Sequence, residues 1–297
     1  MEMLEPKVVT EQNIVLKGKY FKTQSHCCVI FVPGLGGAYD DLASAVAKHC
    51  TNNGYSFLWA RTQSCYIDTT VKKLNAETGE RVRAGAMYEN FANALPDISA
   101  WVNFAFAEGY SEIAFVGHCY GCNKIVYYLN KNNLKNCIGN IFLSPTDVNL
   151  LSDPRYCHLF AEAVNNIKNK QPDKVLSKQI YGFCDLTSAA FIRICFNPYL
   201  NNLPYKSNDK NYKLLENISS PVTFVLGNKD GGLEQKTTQS ACLFMDRLTK
   251  HTQKGDYFIV EDGKHSFGGK EDYVATIVTQ CLNKFAKKEN NNEHIFG

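Results

Sequence analysis

Long apolar runs, blocks of like charge and a leader-like start are all missing from this chain of 297 residues. No stretch of about 18 consecutive apolar residues occurs, so the sequence predicts no membrane span. The first seven residues do not pair a basic segment with an apolar one, as a secretory signal does. The net charge of +3 is spread along the chain and gives no electrostatic case for nucleic acid. We therefore expect a cytoplasmic protein with no nucleic-acid partner.

Motifs for metals and phosphates are also missing. No pair of Cys-x-x-Cys or His-x-x-x-His motifs builds a zinc site. The glycine-rich run over 34–37 lacks a following Gly-Lys-[Ser/Thr] and the third glycine of the dinucleotide pattern. The twelve cysteines are scattered over a long chain without a secretion signal, which favours reduced thiols over a disulfide scaffold. We expect no metal and no cofactor.

Short apolar strands alternate with longer helical segments, which is typical of a mostly parallel sheet flanked by helices. The α/β core is predicted over 1–149 and 213–288, with a flexible tail over 289–297. Strands are predicted over 8–16, 18–23, 27–32, 55–60, 112–116, 139–143, 221–226 and 256–260. Helices are predicted over 40–53, 86–108, 121–132, 235–250 and 270–286.

Residues 150–212 break this alternation and predict an inserted helical lid. The segment is rich in aromatic residues, and it has helical spacing over 155–168 and 187–196. Aromatic side chains are more often plain core than the lining of a pocket. Those that are candidates to line an apolar acyl pocket are Tyr156, Phe160, Tyr181, Phe183, Phe191, Phe196, Tyr199 and Tyr205.

The most informative motif is a glycine-flanked cysteine at the end of a predicted buried strand. It reads Gly117-His118-Cys119-Tyr120-Gly121 and resembles a nucleophile elbow with sulfur in place of oxygen. An exposed nucleophile on a sharp strand-to-helix turn tolerates no bulky neighbours two positions away, which explains the glycines. A helix N-terminus also favours the thiolate, which is the reactive form of cysteine.

An acid and a histidine follow two later strands in the order nucleophile, acid, base. Asp230 follows the strand over 221–226, and His265 follows the strand over 256–260. A lone Asp at a strand end is usually a capping residue and a lone loop His is usually exposed, so the combination carries the signal. Asp147, at another strand end, is the competing acid. Asp262 is too close to His265 along one loop to be favoured.

The glycine-rich run Pro33-Gly34-Leu35-Gly36-Gly37 follows an early strand and is suited to turn backbone N–H groups toward a reacting carbonyl. A simple tight turn is the alternative. An oxyanion loop fits better because the chain also supplies a nucleophile, an acid and a base.

With these motifs in order, the chain resembles the α/β-hydrolase superfamily over residues 10–286. The resemblance implies Cys119 as nucleophile, Asp230 as acid, His265 as base, and the amides of Leu35 and Tyr120 as oxyanion donors. The family usually has serine at the nucleophile and His-Gly before the oxyanion residue, where this chain has cysteine and Pro33-Gly34. Cysteine is known in dienelactone-hydrolase-like members, and short segments also resemble a branch with fungal siderophore esterases.

These residues predict an enzyme that cleaves an ester, thioester or lactone through an acyl-cysteine. The substrate is expected to be a small molecule with an apolar or aromatic acyl group, and a carrier-bound thioester is a further candidate donor. An acyltransferase or cyclase that passes the acyl group to an amine or alcohol is the enzymatic alternative. A non-catalytic binding protein is a third hypothesis. A fourth is a redox protein that uses Cys119 and Cys122, a pair that a regulatory disulfide would also join.

Overall fold

The structure, a computed structural model, describes residues 2–74, 79–204 and 212–293, and the side chains as far as residue 287. Within these ranges the strands are β1 (Lys7–Val9), β2 (Ile14–Lys17), β3 (Lys19–Phe21), β4 (Cys27–Val32), β5 (Ser56–Trp59), β6 (Thr69–Lys73), β7 (Glu80–Ala84), β8 (Glu112–His118), β9 (Cys137–Leu143), β10 (Val222–Gly227) and β11 (Gly255–Val260). The helices are α1 (Asp41–Asn52), α2 (Ala94–Ala107), α3 (Tyr120–Lys131), α4 (Leu159–Lys168), α5 (Ser188–Cys195), α6 (Lys213–Glu216), α7 (Thr238–Thr249) and α8 (Glu271–Glu293).

Seven strands form the main sheet, in the order β11-β10-β9-β8-β4-β5-β3. The six from β11 to β5 run parallel, and β3 pairs with β5 antiparallel at the edge. Every residue of β4, β5, β9 and β10 is buried, as expected for parallel strands covered on both faces. The carboxyl ends of β8, β9, β10 and β11 therefore meet at one edge of the sheet, where ligands bind in such folds.

Two apolar layers cover the sheet. On one face, α2, α3 and α7 contribute buried side chains such as Trp101, Ile125 and Met245. On the other face, α1 and α8 pack together, with Val46 and Phe285 among their buried residues. Helix α8 also lies directly on β9.

A second sheet of four antiparallel strands, β1-β2-β6-β7, lies outside the predicted plan. Its two later strands have one apolar residue each at the centre, Val71 and Val82, between polar neighbours. The hydrophobic signal of this hairpin is therefore too weak to predict it from the sequence.

The segment between β9 and β10 contains α4 and α5, which pack on each other. Its buried residues form a third apolar cluster that includes Leu35 and Tyr120 from the core. This segment holds only isolated bridges, Val175 with Thr187 and Ile180 with Cys184, among its described residues. Whether it acts as a lid stays a prediction.

Three predicted elements need correction. The strand over 8–16 is two strands, β1 and β2, because the chain turns between them at Asn13, whose φ is 62°. The helix over 86–108 begins with two 3₁₀ turns, and the α-helix starts only at Ala94. The helix predicted over 270–286 is longer than predicted, because α8 continues to Glu293. The flexible tail over 289–297 stays a prediction, and residues 294–297 lie outside the described residues.

The contact between α8 and β9 generates a stability prediction. Phe285 is 3% exposed, and a Cβ added to Gly139 of β9 would lie 2.3 Å from its ring. We expect Phe285→Ala to lower the free energy of unfolding by about 3 to 5 kcal/mol, because it leaves a cavity in a close-packed contact. Tyr273 on the same helix is 56% exposed, so Tyr273→Ala should change the free energy of unfolding by less than about 0.5 kcal/mol. Equal losses in denaturant melts would contradict this packing.

Candidate active site

Cys119 lies between the last residue of β8 and the first of α3, on a sharp turn. Its φ of 54° and ψ of −125° place it in a region that non-glycine residues rarely occupy. Its N–H donates to the Leu143 carbonyl at 2.9 Å, which ties the turn to the end of β9. Strained backbone of this kind clusters at functional sites, where the surrounding structure holds it.

The two glycines that flank the cysteine are required by close packing. A Cβ on Gly121 would lie 2.1 Å from the Val32 carbonyl oxygen, and one on Gly117 would lie 2.9 Å from the Cys122 backbone. The first turn of α3 thus passes against the end of β4. A side chain at either glycine would push the elbow out of position.

His265 and Asp230 form a hydrogen-bonded pair at the ends of β11 and β10. The imidazole Nδ1 lies 2.9 Å from Asp230 Oδ2, and the Gly232 N–H donates to the other carboxylate oxygen at 2.7 Å. The Asp230 side chain is 2% exposed, whereas that of His265 is 40% exposed. The acid is therefore buried behind the ring, and the ring faces the solvent-accessible site.

The two competing acids lie elsewhere. Asp147 is buried after β9 and lines a neighbouring cavity. Asp262 is exposed, and its N–H donates to the Asn228 side chain. Of the three acids considered from the sequence, Asp230 is the one hydrogen-bonded to His265.

Three groups surround the Cys119 sulfur. The His265 imidazole lines the same cavity and interacts with it electrostatically. The Thr146 hydroxyl donates to it at 3.3 Å, and the Tyr120 N–H also faces it. The sequence analysis missed Thr146, although its position just after β9 marks it as a residue of the same sheet edge.

These contacts set the ionisation of the pair. Burial alone raises the pKa of the Cys119 thiol, but His265, Thr146 and the Tyr120 N–H outweigh it, so that pKa is lowered. Burial alone lowers the pKa of His265, but Cys119 and Asp230 raise it well above its usual value. Burial also opposes ionisation of Asp230, yet His265 keeps the pKa of that carboxyl lowered. These shifts favour the charged forms of all three groups, a thiolate and an imidazolium next to a carboxylate.

His118, the elbow residue before the nucleophile, supports the histidine loop. Its Nε2 lies 2.9 Å from the His265 carbonyl oxygen. Burial, and then the charge of His265, lower the pKa of His118 to about 4, so its ring is neutral near pH 7. Because a carbonyl only accepts, Nε2 carries the proton and donates it. His118 thus connects the elbow to the loop that carries the base.

The glycine-rich loop after β4 lies against the nucleophile. Gly34 passes so close that an added Cβ would lie 2.9 Å from the Cys119 Cβ. The Gly36 N–H donates to the Ser64 carbonyl and the Gly37 N–H to the Gly34 carbonyl. Leu35, which precedes these two glycines, lines the same cavity as Cys119 and Tyr120.

Two adjoining cavities meet at the site. The first, about 270 Å³, holds Cys119 and His265 and is lined by Leu35, Tyr181 and Phe183; we call it the nucleophile chamber. The second, about 380 Å³, is the polar chamber, and the two share Arg155, Tyr181, Gly231 and Gly232. The polar chamber is also lined by Asp147, Asn149, Ser152, Asp153 and Glu234.

Of the aromatic residues predicted to line an acyl pocket, Tyr181 and Phe183 line the nucleophile chamber. Phe191 is fully buried and Tyr156 nearly so, in the apolar cluster, while Phe196 is 61% exposed. Phe160 and Tyr199 pack at the edge of that cluster. Tyr205 lies outside the described residues.

The remaining described cysteines contrast with Cys119. Burial raises the pKa of Cys122 well above its ordinary value, and its thiol donates to the Gly117 and Leu143 carbonyls. Each described cysteine is a free thiol.

No group of three or more His, Cys, Asp or Glu side chains in the described ranges is placed to hold a metal ion. None of the helices described is long and apolar enough to cross a membrane.

Comparison with known proteins yields structures but no sequence family. No family model and no curated protein matches the chain. The ferulic acid complex of Est1E from Butyrivibrio proteoclasticus matches with a TM-score of 0.65 and 13% identity, over 95% of this chain and 99% of the other. The α/β hydrolase GrgF from Penicillium sp. sh18 matches at 0.68 and 14% over 97% and 99%. DcsB, solved with a substrate analogue, matches at 0.70 and 10% over 97% and 99%.

The chain has the α/β-hydrolase fold. The matched structures extend over nearly the full length of both chains. Identities of 10 to 14% show the fold alone, because one fold carries many unrelated functions. The function must therefore be argued from the side chains at the sheet edge.

The ionised pair generates a prediction about thiol reactivity. We expect iodoacetamide at pH 6 to alkylate Cys119 faster than exposed Cys157, because the thiolate is the nucleophile and the lowered pKa of Cys119 favours that form. The rate at Cys119 should fall only when the pH falls through its lowered pKa. His265→Ala should slow this labelling by at least about tenfold at pH 6. Each unit by which the pKa of the Cys119 thiol rises lowers the fraction of thiolate about tenfold.

Peptide mass mapping after timed quenching measures both rates in one sample, with Cys157 as the internal reference. Labelling of Cys119 no faster than that of Cys157, or unchanged in His265→Ala, would contradict the ion pair.

Proposed function

We propose that this protein is a hydrolase that cleaves an ester, thioester or lactone through a Cys119-His265-Asp230 triad and an acyl-cysteine intermediate. The observation that carries the proposal is the hydrogen bond between His265 and the buried Asp230, in a cavity that Cys119 also lines. The fold shared with solved esterases and hydrolases supports the reaction class.

In the first half of the cycle, the Cys119 thiolate attacks the carbonyl carbon of the substrate. The carbonyl oxygen becomes an oxyanion, and we assign the N–H groups of Leu35 and Tyr120, which line the cavity with Cys119, as its donors. One such donor is typically worth about 3 kcal/mol of the barrier. His265 then gives its proton to the leaving group as the tetrahedral intermediate collapses, which leaves a thioester on Cys119.

In the second half, His265 is neutral and acts as a base. It takes a proton from a water molecule, which attacks the thioester carbonyl. Collapse returns Cys119 as a thiolate and His265 as an imidazolium, and the acid is released. Asp230 keeps the imidazole in the tautomer whose Nδ1–H it accepts, and it stabilises the positive charge.

The two chambers suit the two parts of the substrate on either side of the reacting carbonyl. Leu35, Tyr181 and Phe183 offer apolar surface beside the sulfur, which suits an apolar or aromatic acyl group. The polar chamber suits the leaving group. Est1E was solved with ferulic acid, an aromatic acid, and we infer an aromatic acyl group here from the same chemistry.

Acyl transfer or cyclisation is the second candidate, and the polar chamber is the observation that favours it. It opens directly beside the nucleophile chamber, so an amine or alcohol bound there would lie next to the acyl-cysteine. A thioester carbonyl is more open to amines than an oxygen ester. A carrier-bound thioester fits either route as the acyl donor.

A redox role and a non-catalytic binding role are less well supported by the site. A redox role requires Cys119 and Cys122 to react together, but the Cys122 thiol is fully buried, donates to two backbone carbonyls and does not line the nucleophile chamber. A non-catalytic binding protein would not need a lowered thiol pKa and a carboxylate-backed histidine.

Trapping the intermediate tests the proposed reaction. We expect a p-nitrophenyl ester of an aromatic acid to release a burst of nitrophenol and to leave the mass of the acyl group on Cys119. Cys119→Ala should abolish both, and Asp230→Asn should slow turnover by about 10³ to 10⁴-fold while it leaves the fold intact, because the wrong tautomer of His265 is favoured. Turnover by the Cys119→Ala variant would contradict the mechanism.

The same assay with an added amine separates hydrolysis from transfer. Acid as the main product at every amine concentration supports the hydrolase, whereas an amide that increases with saturation supports the acyltransferase. Liquid chromatography of the quenched products gives the ratio directly.

The nucleophile chamber generates a prediction about the acyl group. Phe183 is 47% exposed and lines this chamber, so Phe183→Ala should leave the fold unchanged. We expect KM for an aromatic acyl ester to rise about 5- to 10-fold, as lost apolar contact of about 1 kcal/mol implies, with little change for an acetyl ester. Phe196, 61% exposed and not part of the lining, is the matched control. Equal effects of the two variants would contradict this assignment of the chamber.

A further inference from the structure

A charged side chain lies buried beneath the elbow. Lys124 is in the second turn of α3 and is 1% exposed. A buried ammonium is costly unless it is paired and hydrogen-bonded. Its neighbours are therefore a guide to what it does, and they come from both segments that carry the candidate oxyanion donors.

One set of contacts leads to the glycine-rich loop. Lys124 Nζ donates to the Thr62 hydroxyl at 3.1 Å and to the Ser64 hydroxyl. The backbone carbonyl of Ser64 accepts the Gly36 N–H at 3.0 Å. Lys124 thus holds, through Ser64, the residue that follows Leu35.

The other set leads to the elbow. The ammonium lies 5.4 Å from the centre of the Tyr120 ring, and that ring is 2% exposed. Glu89, 3% exposed, lines one small cavity together with Lys124 and Ser64. Burial raises the pKa of Glu89, and the charge of Lys124 is the first of the effects that oppose this rise.

Asp97 completes the buried charges on this side of α3. It is 1% exposed and accepts from the Gln63 backbone and side chain at 2.7 and 2.8 Å. Burial raises its pKa to about 6. Lys124 is therefore the one buried cation, among the described residues, that faces both carboxyl groups.

We propose that Lys124, with Glu89 and Ser64, is a positioning cluster that fixes the Leu35 and Tyr120 amides relative to each other, so that both point at one oxyanion. The inference rests on the proposed function. Lys124 contacts the substrate nowhere; it acts through Ser64 on one donor segment and through the Tyr120 ring and Glu89 on the other.

A positioning role predicts different effects on acylation and on alkylation of Cys119, whereas a purely structural role predicts the same effect on both. Acylation of Cys119 creates an oxyanion and needs both amides in place. Alkylation of Cys119 by iodoacetamide is a displacement at a saturated carbon; it creates no oxyanion and needs the thiolate, to which the Tyr120 N–H contributes less than His265 and Thr146 do. Loss of the cluster should therefore slow acylation while alkylation continues.

The experiment measures both rates on the same variants. Lys124→Met leaves the buried Glu89 without its cation and is expected to weaken folding, so the double variant Lys124→Met/Glu89→Gln removes these two charges together. Asp97 keeps its two hydrogen bonds from Gln63 in this variant. Ser64→Ala, a neutral change, removes only the hydroxyl link. In the double variant we expect acylation by a p-nitrophenyl ester to fall about 10- to 100-fold, which is close to the loss of one oxyanion donor. Alkylation at pH 7 should change less than about twofold, and Ser64→Ala should show the same trend more weakly.

The outcomes separate this inference from the proposed function. An unchanged ratio of acylation to alkylation in the folded double variant and in Ser64→Ala would overturn the positioning role alone. An equal loss of both rates would overturn it too, because the cluster would then support the site only as a whole. A wild-type protein that is alkylated at Cys119 but never acylated would overturn the proposed function, and this inference with it.

Discussion

The attraction between the Cys119 thiolate and the His265 imidazolium is the interaction on which the proposed chemistry depends. Each group alone would be driven toward its neutral form by burial, and each is kept charged by the other. Asp230, buried behind the ring, adds a negative charge that holds the imidazolium in place. In the proposed mechanism the nucleophile is therefore held in its reactive form, in contrast to a serine, which must be activated during the reaction.

The fold makes this pair possible by bringing three distant segments to one edge. Cys119, Asp230 and His265 each follow a parallel strand, and the carboxyl ends of β8, β10 and β11 meet there. The geometry at the elbow is demanding, because the first turn of α3 passes within contact of the end of β4 at Gly121. The same contact brings the two candidate oxyanion amides together, one from each segment. The same contacts therefore pack the core and position the site residues.

Much of this arrangement could be predicted from the sequence. The buried strands have continuous apolar runs. The candidate site residues can be located because each of them follows one of these strands, in the order nucleophile, acid, base. The antiparallel hairpin of β6 and β7 could not be predicted, because each strand has a single central valine. Thr146 was missed because a threonine after a strand is common, and its contact with sulfur depends on how β8 and β9 pair. Lys124 was missed because a lysine in a helix is ordinarily a surface residue.

The most direct test of the ion pair is a titration of the thiolate by its ultraviolet absorbance, recorded as the difference between the wild-type protein and Cys119→Ser. The account predicts that one thiolate titrates below the ordinary cysteine value of 9.0, and that His265→Ala moves this transition to higher pH. A difference spectrum that appears only at or above the ordinary value, and that is the same with or without His265, would contradict the central claim.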